Sequence, residues 1–369
     1  MERQLERRRE PEPVQIVRTS EENRERYETE RRKLQTLPHV LKYDSVPWQV
    51  SAQAHRKPFA GPGMPRRLAQ APICTMELLE QILLPGEHSG KHRHYYEAIF
   101  YIIEGEGYEI HDDIKYPWEA GDVMCVPTYC VHQHFNPSAD RTARLFFSIP
   151  LVFELMNLSH FEQMEWHLNY TIPPESSPLY SNNGEMEGYR FANGREVRFG
   201  RDADYQKFME GKSYIQFTGE PQNTYQRYLK LLAMQAEHRR KAPHVMRGRD
   251  FSWENTEMGK LKYLITPYSQ SPLLLFDCFL QELPQGGHSG RHRHVSEEVH
   301  KILQGKGYDI HNGKRWDWEK EDVVCIPPDT EHQHFNTDTH SSALFVSFQS
   351  RLHQYAGHGG IEHLEDASK

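Results

Sequence analysis

Two stretches of the chain alternate apolar and polar residues over short distances, and two others have the longer period of a helix. Short apolar runs lie between about Met76 and Pro150 and again between Leu273 and about Ser350, separated by glycine, proline and aspartate. Such runs predict many short antiparallel strands, which form a sandwich or a barrel. One helical stretch follows a capping box at Thr19 to Glu22, and the other occupies Tyr225 to Lys241. The pattern predicts an all-β chain with flanking helices.

The two strand-rich stretches are copies of one another. HSGKHRH at His88 to His94 returns as HSGRHRH at His288 to His294, and this offset of 200 residues continues to a shared HQHFN. About half of the aligned positions are identical. Each copy is preceded by a helix and a PHV segment, in which His39 matches His244 at an offset of 205. An internal repeat of this length predicts two similar domains.

The repeat divides the chain into five expected segments. These are an N-terminal helix and arm (1–60), a first barrel (61–168), a connection with a helix (169–250), a second barrel (251–355) and a tail (356–369).

The segments outside the barrels carry weaker predictions. Residues 169–211 are rich in Pro, Gly, Ser and Asn and predict a long surface connection. The helix at Tyr225 to Lys241 is expected between the two domains. The N-terminal helix lacks such a neighbour, so we expect it at the interface of a homo-oligomer, most simply a dimer. The polar tail from Arg351 is expected to be poorly ordered.

Composition narrows the class of protein. The net charge of −8 argues against nucleic acid as a partner. No apolar run approaches the roughly 20 residues that a membrane span needs, and the charged start predicts no signal peptide. The five cysteines form no CxxC pair, and the equivalent Cys125 and Cys325 predict two buried thiols. We therefore expect a protein of the reducing cytoplasm.

Three histidines in each copy have the spacing of a metal site. His92 and His94 are two residues apart, so both side chains leave the same face of a strand. His132 follows about forty residues later, behind a hairpin and a Gly-Asp turn. Three imidazoles converging inside a small barrel would bind a divalent metal and leave coordination positions open. A lone histidine is more often a packing residue, but here the whole set recurs in register, as His292, His294 and His332.

These residues resemble the two motifs of the cupin family. Gly86, His92, His94 and Gly105 fit the first motif, and Gly121, Pro127, His132 and Asn136 fit the second. The second copy fits with Gly286, His292, His294, Glu298, Gly305, Pro327, His332 and Asn336. The resemblance covers both β-domains. It implies a bicupin, which is two double-stranded β-helix (jelly-roll) barrels in one chain, with a metal in at least one.

The departures from the cupin motifs distinguish the two copies. The acidic position of the first motif is Ala98 in the first copy and Glu298 in the second. The first site is therefore expected to have three histidines, and the second three histidines and a carboxylate. In the second motif, Glu321 replaces the first glycine in the second copy. The next glycine is replaced in both copies, by Tyr129 in the first and by Asp329 in the second.

A cupin with HRH, no acid and a second H-x-H resembles the gentisate 1,2-dioxygenase group. That likeness implies an oxidoreductase that opens a hydroxylated or amino-hydroxylated aromatic acid with O2. Its metal would be Fe(II), with Mn or another divalent metal as the alternative. A rival is an Mn- or Fe-dependent bicupin of the oxalate decarboxylase or quercetinase type, which Glu298 favours and Ala98 opposes. A second rival is a non-enzymatic metal- or ligand-binding bicupin.

Strand alternation predicts which side chains line each pocket. The positions in phase with the HxH pair are Tyr96, Ala98, Phe100 and Ile102 in the first copy and Ser296, Glu298, His300 and Ile302 in the second. The first pocket should be aromatic and the second polar and acidic, although Phe100 and Ile102 could equally be ordinary barrel core. Tyr96 is a candidate catalytic residue that would flank a flat ring. His134, in phase with His132, is a candidate for orienting a ligand or moving a proton.

Overall fold

The computed structural model describes residues 20–61, 71–155, 161–192, 196–199, 220–355, 357 and 359–368. Within these ranges the α-helices are α1 (Ser20–Thr36), α2 (Val152–Leu155), α3 (Thr224–Lys241) and α4 (Leu352–Tyr355). None of the helices in the described ranges is both long and apolar enough to cross a membrane. Thr19 of the predicted capping box lies outside the described residues.

The strands of the first half and of the connection are β1 (Val40–Leu41), β2 (Gln49–Val50), β3 (His55–Ala60), β4 (Met76–Leu83), β5 (His92–His94), β6 (Ala98–Glu104), β7 (Glu106–His111), β8 (Ile114–Glu119), β9 (Val123–Val126), β10 (His132–Phe135), β11 (Ala143–Pro150), β12 (Phe161–Gln163), β13 (Ser177–Tyr180), β14 (Met186–Arg190) and β15 (Glu196–Phe199). Those of the second half are β16 (Val245–Met246), β17 (Glu254–Thr256), β18 (Gly259–Ile265), β19 (Phe276–Leu283), β20 (Arg291–His294), β21 (Glu298–Gln304), β22 (Lys306–His311), β23 (Lys314–Glu319), β24 (Val323–Ile326), β25 (His332–Asn336), β26 (Ala343–Ser350) and β27 (Ile361–Glu365).

Each half of the chain builds a barrel from two sheets. In the first barrel the strand orders are β16-β9-β6-β11-β4-β3-β2 and β13-β14-β15-β12-β5-β10-β7-β8. In the second they are β1-β24-β21-β26-β19-β18-β17 and β23-β22-β25-β20-β27. The apolar alternation places one face of each sheet inside its barrel. The all-β prediction of two jelly-roll barrels is confirmed.

The two halves exchange their arms. Strand β1 belongs to the first half, but it pairs with β24 of the second barrel, with Val40 opposite Val324. Strand β16 of the second half pairs in the same way with β9 of the first barrel, with Val245 opposite Met124. The repeated PHV segment therefore completes a sheet in the other copy's barrel, and neither sheet is complete without the other half of the chain.

The outer faces of two sheets, one from each barrel, share a single apolar core. This core contains residues of β4, β6, β9 and β11 together with residues of β19, β21, β24 and β26. At its centre Phe146 stacks on Phe348 with ring centroids 5.3 Å apart. Because burial of apolar surface is the main stabilising contribution to folding, we expect the two barrels to fold as one unit.

Two buried carboxylates reinforce the contact between the barrels. Glu97 accepts the backbone N–H groups of Leu274 and Leu275 at 2.9 and 2.6 Å. Its repeat counterpart Glu297 accepts those of Cys74 and Thr75 at 2.6 and 2.7 Å. Residue 97 therefore points away from the interior of its own barrel, as strand alternation predicts, and into the neighbouring one.

The structure corrects three expectations outside the barrels. The tail is not poorly ordered, because β27 pairs with β20, with Ile361 opposite His294. All five residues of β27 are exposed, so the strand has no buried apolar face. The predicted surface connection contains the hairpin β13–β14 and β15, which extend a sheet of the first barrel. Helix α3 does not lie between the domains, since Tyr225 and Met234 are 69% and 59% exposed.

Other predictions agree with the structure. Cys125 and Cys325 are buried free thiols. The residues that replace motif glycines have the positive φ that glycine usually adopts, with values of 78° at Glu321, 65° at Tyr129 and 58° at Asp329.

Candidate metal centres

The structure brings the three predicted histidines of the first barrel together. His92 and His94 lie on β5 and His132 lies directly opposite His92 on β10. Each imidazole offers a nitrogen, and these nitrogens lie within 4.8 Å of one another. All three side chains are buried. The residues therefore have the arrangement of a three-histidine metal site.

Backbone contacts fix which nitrogen of each imidazole faces the others. The Nδ1–H of each ring donates to a main-chain carbonyl, so the lone pair lies on Nε2. The acceptors are the carbonyls of Gly90, Tyr96 and Cys130, at 3.0, 2.6 and 3.0 Å. Burial lowers the pKa of His94 to about 3 and those of His92 and His132 well below their usual value. Neutral imidazoles are the form that a metal requires, so this set fits a divalent metal.

The second barrel repeats the triad and adds a carboxylate. His292, His294, His332 and Glu298 form one group with ligand atoms within 4.8 Å. The Nδ1–H groups of the three imidazoles again donate to main-chain carbonyls, those of Gly290, Ser296 and Thr330, at 3.2, 2.9 and 2.8 Å. Burial would raise the pKa of Glu298, but the surrounding imidazoles outweigh it and lower that pKa to about 2. This site can therefore offer three imidazoles and one ionised carboxylate, whereas Ala98 offers no ligand in the first.

The walls of the first pocket are aromatic. Tyr96 stacks on His94 with centroids 4.1 Å apart and an interplanar angle of 9°. Phe100 stacks on Phe147 at 4.6 Å. Phe100 and Ile102 also belong to the apolar cluster inside this barrel, so they form part of its core as well as its wall.

The walls of the second pocket are polar at the equivalent positions. His300 and Ser347 replace the two phenylalanines, with Nδ1 2.5 Å from Oγ. Gln349 donates to Glu298 at 3.2 Å. The predicted contrast between an aromatic first pocket and a polar second pocket agrees with these contacts.

His134 is the first member of a buried polar chain beside the first triad. Its Nδ1 lies 3.3 Å from Glu109, whose carboxylate lies 2.5 Å from Nε2 of His111. Nδ1 of His111 in turn lies 2.6 Å from Nδ1 of His244. His244 belongs to the exchanged arm, so the other half of the chain supports the surroundings of this site.

The second barrel contains the same chain of contacts. It runs from His334 through Asp309 and His311 to His39, over distances of 2.8, 3.2 and 2.6 Å. Sequence reasoning missed these supporting residues, although His111 matches His311 and the PHV segment is also repeated.

Arg56 is another residue that sequence reasoning missed. It lies on β3 with its guanidinium 5.1 Å from the ring centroid of Phe147. Burial is the largest cause that lowers the pKa of His92 and of His94, and the positive charge of Arg56 is a further one. The equivalent residue of the second barrel is Leu261, because His55 and Lys260 hold the same register in their strands. The first pocket is therefore aromatic with a cation at its edge.

Comparison with known proteins assigns the class. The family described as the cupin domain matches residues 79–149 and again 279–348. The chain is a bicupin, with one cupin domain in each half.

Within the bicupins, the chain resembles the gentisate 1,2-dioxygenase group. It is 23% identical over 337 residues to a gentisate 1,2-dioxygenase of Haloferax sp, covering 85% of this chain and 84% of that protein. Two solved structures share the fold. The salicylate 1,2-dioxygenase of Pseudoaminobacter salicylatoxidans with gentisate has a TM-score of 0.55 at 16% identity, covering 95% of this chain and 96% of that one. A mutant of the oxalate decarboxylase of Bacillus subtilis has a TM-score of 0.55 at 12% identity, covering 88% of this chain and 79% of that one.

Proposed function

We propose that the chain is an Fe(II)-dependent dioxygenase that cleaves the ring of a hydroxylated or amino-hydroxylated aromatic acid with O2, and that the first barrel carries the reaction. The observation that carries the proposal is the combination of three neutral imidazoles, aromatic walls and one cation in a single pocket. The resemblance to gentisate 1,2-dioxygenases supports the same class. Mn or another divalent metal is the alternative to iron, since imidazole suits several metals.

The residues of the first barrel have separate roles in this proposal. His92, His94 and His132 would hold the metal, which supplies O2 activation and a Lewis acid for the substrate oxygens. Because all three ligands are neutral, they favour an anionic substrate. Ala98 leaves open a position that a carboxylate would otherwise fill.

The walls of the pocket would orient the substrate. The guanidinium of Arg56 would pair with the substrate carboxylate, which is the strongest kind of polar contact that a flat aromatic acid offers. Tyr96 and Phe100 would pack against the two faces or the edge of the ring. His134, held by Glu109, would accept the proton released when a ring hydroxyl binds.

The second barrel favours a different candidate. Its three imidazoles and Glu298 are the ligand set expected of the oxalate decarboxylase type, and its polar walls suit a small polar acid. A protein whose working site is the second barrel would release CO2 from such an acid instead of opening an aromatic ring.

One pair of variants separates the two candidates. After anaerobic loading with Fe(II), O2 uptake is measured with hydroxylated and amino-hydroxylated benzoates, and CO2 release is measured with oxalate. His92→Ala should abolish O2 uptake, while His292→Ala should keep most of it and mainly lower stability. Metal content should be close to one per cupin site. The opposite pattern, with His92→Ala active and His292→Ala inactive, would move the reaction to the second barrel.

A further inference from the structure

Another group of metal-ligating side chains lies in the first barrel, outside the triad of histidines. His55 is on β3, Glu87 is in the loop after β4, and His167 follows β12. The ligand atoms of the three lie within 4.8 Å of one another. Nε2 of His55 is 3.9 Å from one carboxylate oxygen of Glu87, and Nε2 of His167 is 3.7 Å from the other.

The two imidazole nitrogens are buried and lack hydrogen bonds. Nε2 of His55 and Nε2 of His167 have no hydrogen-bond partner among the residues that the structure describes. Their distances to Glu87 are too long for hydrogen bonds. His167 itself is 1% exposed. Buried polar atoms without partners are rare and need an explanation, and here both point to the same carboxylate.

The carboxylate is held in place from the other side. Glu87 accepts the backbone N–H of Leu84 at 2.9 Å and the side-chain amide of Asn169 at 3.2 Å. Such supporting contacts orient metal ligands in proteins. A cation between the two imidazoles and the carboxylate would need bonds of about 2.0–2.2 Å, which small side-chain rotations would reach.

The other half of the chain shows that the fold does not require this group. The equivalent positions are Lys260 for His55, Gly287 for Glu87 and Ala367 for His167. The backbone contacts are nonetheless the same, since the N–H of His167 donates to Ala52 and that of Ala367 donates to Glu257. The three ligands are therefore a feature added to one barrel alone.

We propose that His55, Glu87 and His167 form a third metal site, which binds Zn²⁺ or a similar first-row divalent cation and links the two sheets of the first barrel. Strand β3 belongs to one sheet and the β12 segment to the other, so a bound cation would join them. Two histidines and one glutamate are a common zinc ligand set, with the remaining position left to water. The side chains of His55 and Glu87 are 21% and 12% exposed, which gives the cation a route from solvent. This site goes beyond the proposed dioxygenase function and does not depend on it.

Zinc uptake by the full-length chain tests the proposal. Metal-free protein is dialysed against Zn²⁺, and bound zinc and the rise in melting temperature are measured. The wild type should bind roughly three equivalents, one for each cupin site and one here. Glu87→Gln, which keeps the shape of the side chain, and His167→Ala should each bind about one equivalent less and lose part of the rise in melting temperature.

The repeat provides the matched control. Lys260→Ala, at the position equivalent to His55, should leave zinc uptake unchanged, and His92→Ala should remove a different equivalent, so that its effect adds to that of Glu87→Gln. Circular dichroism without metal checks that each variant is folded. If His167→Ala does not fold, Glu87→Gln decides the question. Wild-type zinc uptake and melting behaviour in a folded Glu87→Gln variant would overturn the proposal.

Discussion

Four charged side chains meet between the barrels and allow one stability prediction to be developed from the structure. Nζ of Lys301 lies 2.9 Å from Glu80 and 3.0 Å from Glu321. Arg144 pairs with the same two carboxylates, at 2.6 Å from each. The side chains of Lys301 and Glu80 are fully buried. Each carboxylate is therefore paired with two cations, Glu80 away from water and Glu321 with 19% of its side chain exposed.

The positions equivalent to these four across the repeat are not charged. They are Leu280, Tyr101, Leu344 and Gly121. The first two are buried in the apolar core between the barrels, and Leu344 packs against it. The contact between the barrels therefore has charged side chains at one set of four positions and uncharged ones at the equivalent set. The uncharged set shows which residues could replace the four ions.

We expect the single variant Lys301→Met to destabilise the protein strongly. It leaves Glu80 buried with Arg144 as its remaining ion-pair partner among the described contacts, and with the charge of Lys57 acting on it from further away. Removing one partner of a buried ion pair costs about 3–5 kcal/mol. Replacing all four charges by the apolar set, as Glu80→Leu, Lys301→Tyr, Arg144→Leu and Glu321→Gly, should be neutral or stabilising by about 1–4 kcal/mol. The last change also removes a side chain from a backbone with φ of 78°, a conformation that costs a non-glycine residue roughly 1 kcal/mol.

Denaturant unfolding, followed by tryptophan fluorescence and circular dichroism, measures both effects. Since the two barrels share one core, a single transition is expected, with the same dependence on denaturant for every variant. The reasoning is refuted if Lys301→Met costs less than about 1 kcal/mol, well below the range for a broken buried pair. It is also refuted if the fourfold variant is destabilised as much as the single one.

Three further predictions concern the first pocket, the same charge cluster and the N-terminal helix. Arg56→Leu should lower kcat/KM for an aromatic acid by roughly 10–100-fold, the effect of losing a charged hydrogen bond of about 1.5–3 kcal/mol, and steady-state kinetics should show no such loss for the matching neutral amide. Although burial opposes it, the contacts of Glu321 with Arg144 and Lys301 lower the pKa of this carboxyl from 4.5 to about 2. The contribution of Glu321 to the free energy of unfolding is therefore complete above its unfolded-state pKa of 4.5 and is lost as the pH falls through its folded-state pKa of about 2. The free energy of unfolding should therefore fall less steeply with decreasing pH in the fourfold variant. If helix α1 lies at a subunit interface, as the sequence predicts, light scattering should show a smaller assembly for a chain truncated before Leu37, and an unchanged assembly would contradict this.

The histidine triads and the fold were predictable because both depend on local periodicity. The spacing of His92 and His94 places them on one strand face whatever the surroundings, and the repeat identified the distant His132. Strand alternation from the same pair also distinguished Ala98 from Glu298. These predictions need only the two-residue period of a strand.

The exchange of arms was not predictable from local pattern. Val40 pairs with β24, yet β9 in its own half has almost the same sequence, VMCVP against VVCIP. Either edge would accept the arm with the same hydrogen bonds and the same apolar contacts. The choice depends on the packing of the two barrels, which no short segment encodes. Arg56 was missed for a related reason, since it lies outside the aligned motifs and reaches the site only because β3 crosses the barrel beside Phe147.

The differences between the two pockets occur at pairs of residues that contact each other. This pairing indicates whether the second barrel has a function. Where Phe100 stacks on Phe147, the second barrel has His300 hydrogen-bonded to Ser347. Where the first barrel has Ala98 and Ile149, the second has Glu298 accepting from Gln349.

A buried polar group without a partner costs roughly 1–3 kcal/mol, so one member of such a pair could not have changed alone without loss of stability. A cupin site that had merely lost its role would collect unpaired changes or lose its histidines. The second barrel instead keeps all four possible ligands, and its polar replacements contact one another, His300 with Ser347 and Gln349 with Glu298. We infer that its metal site has a role of its own, distinct from the aromatic chemistry proposed for the first.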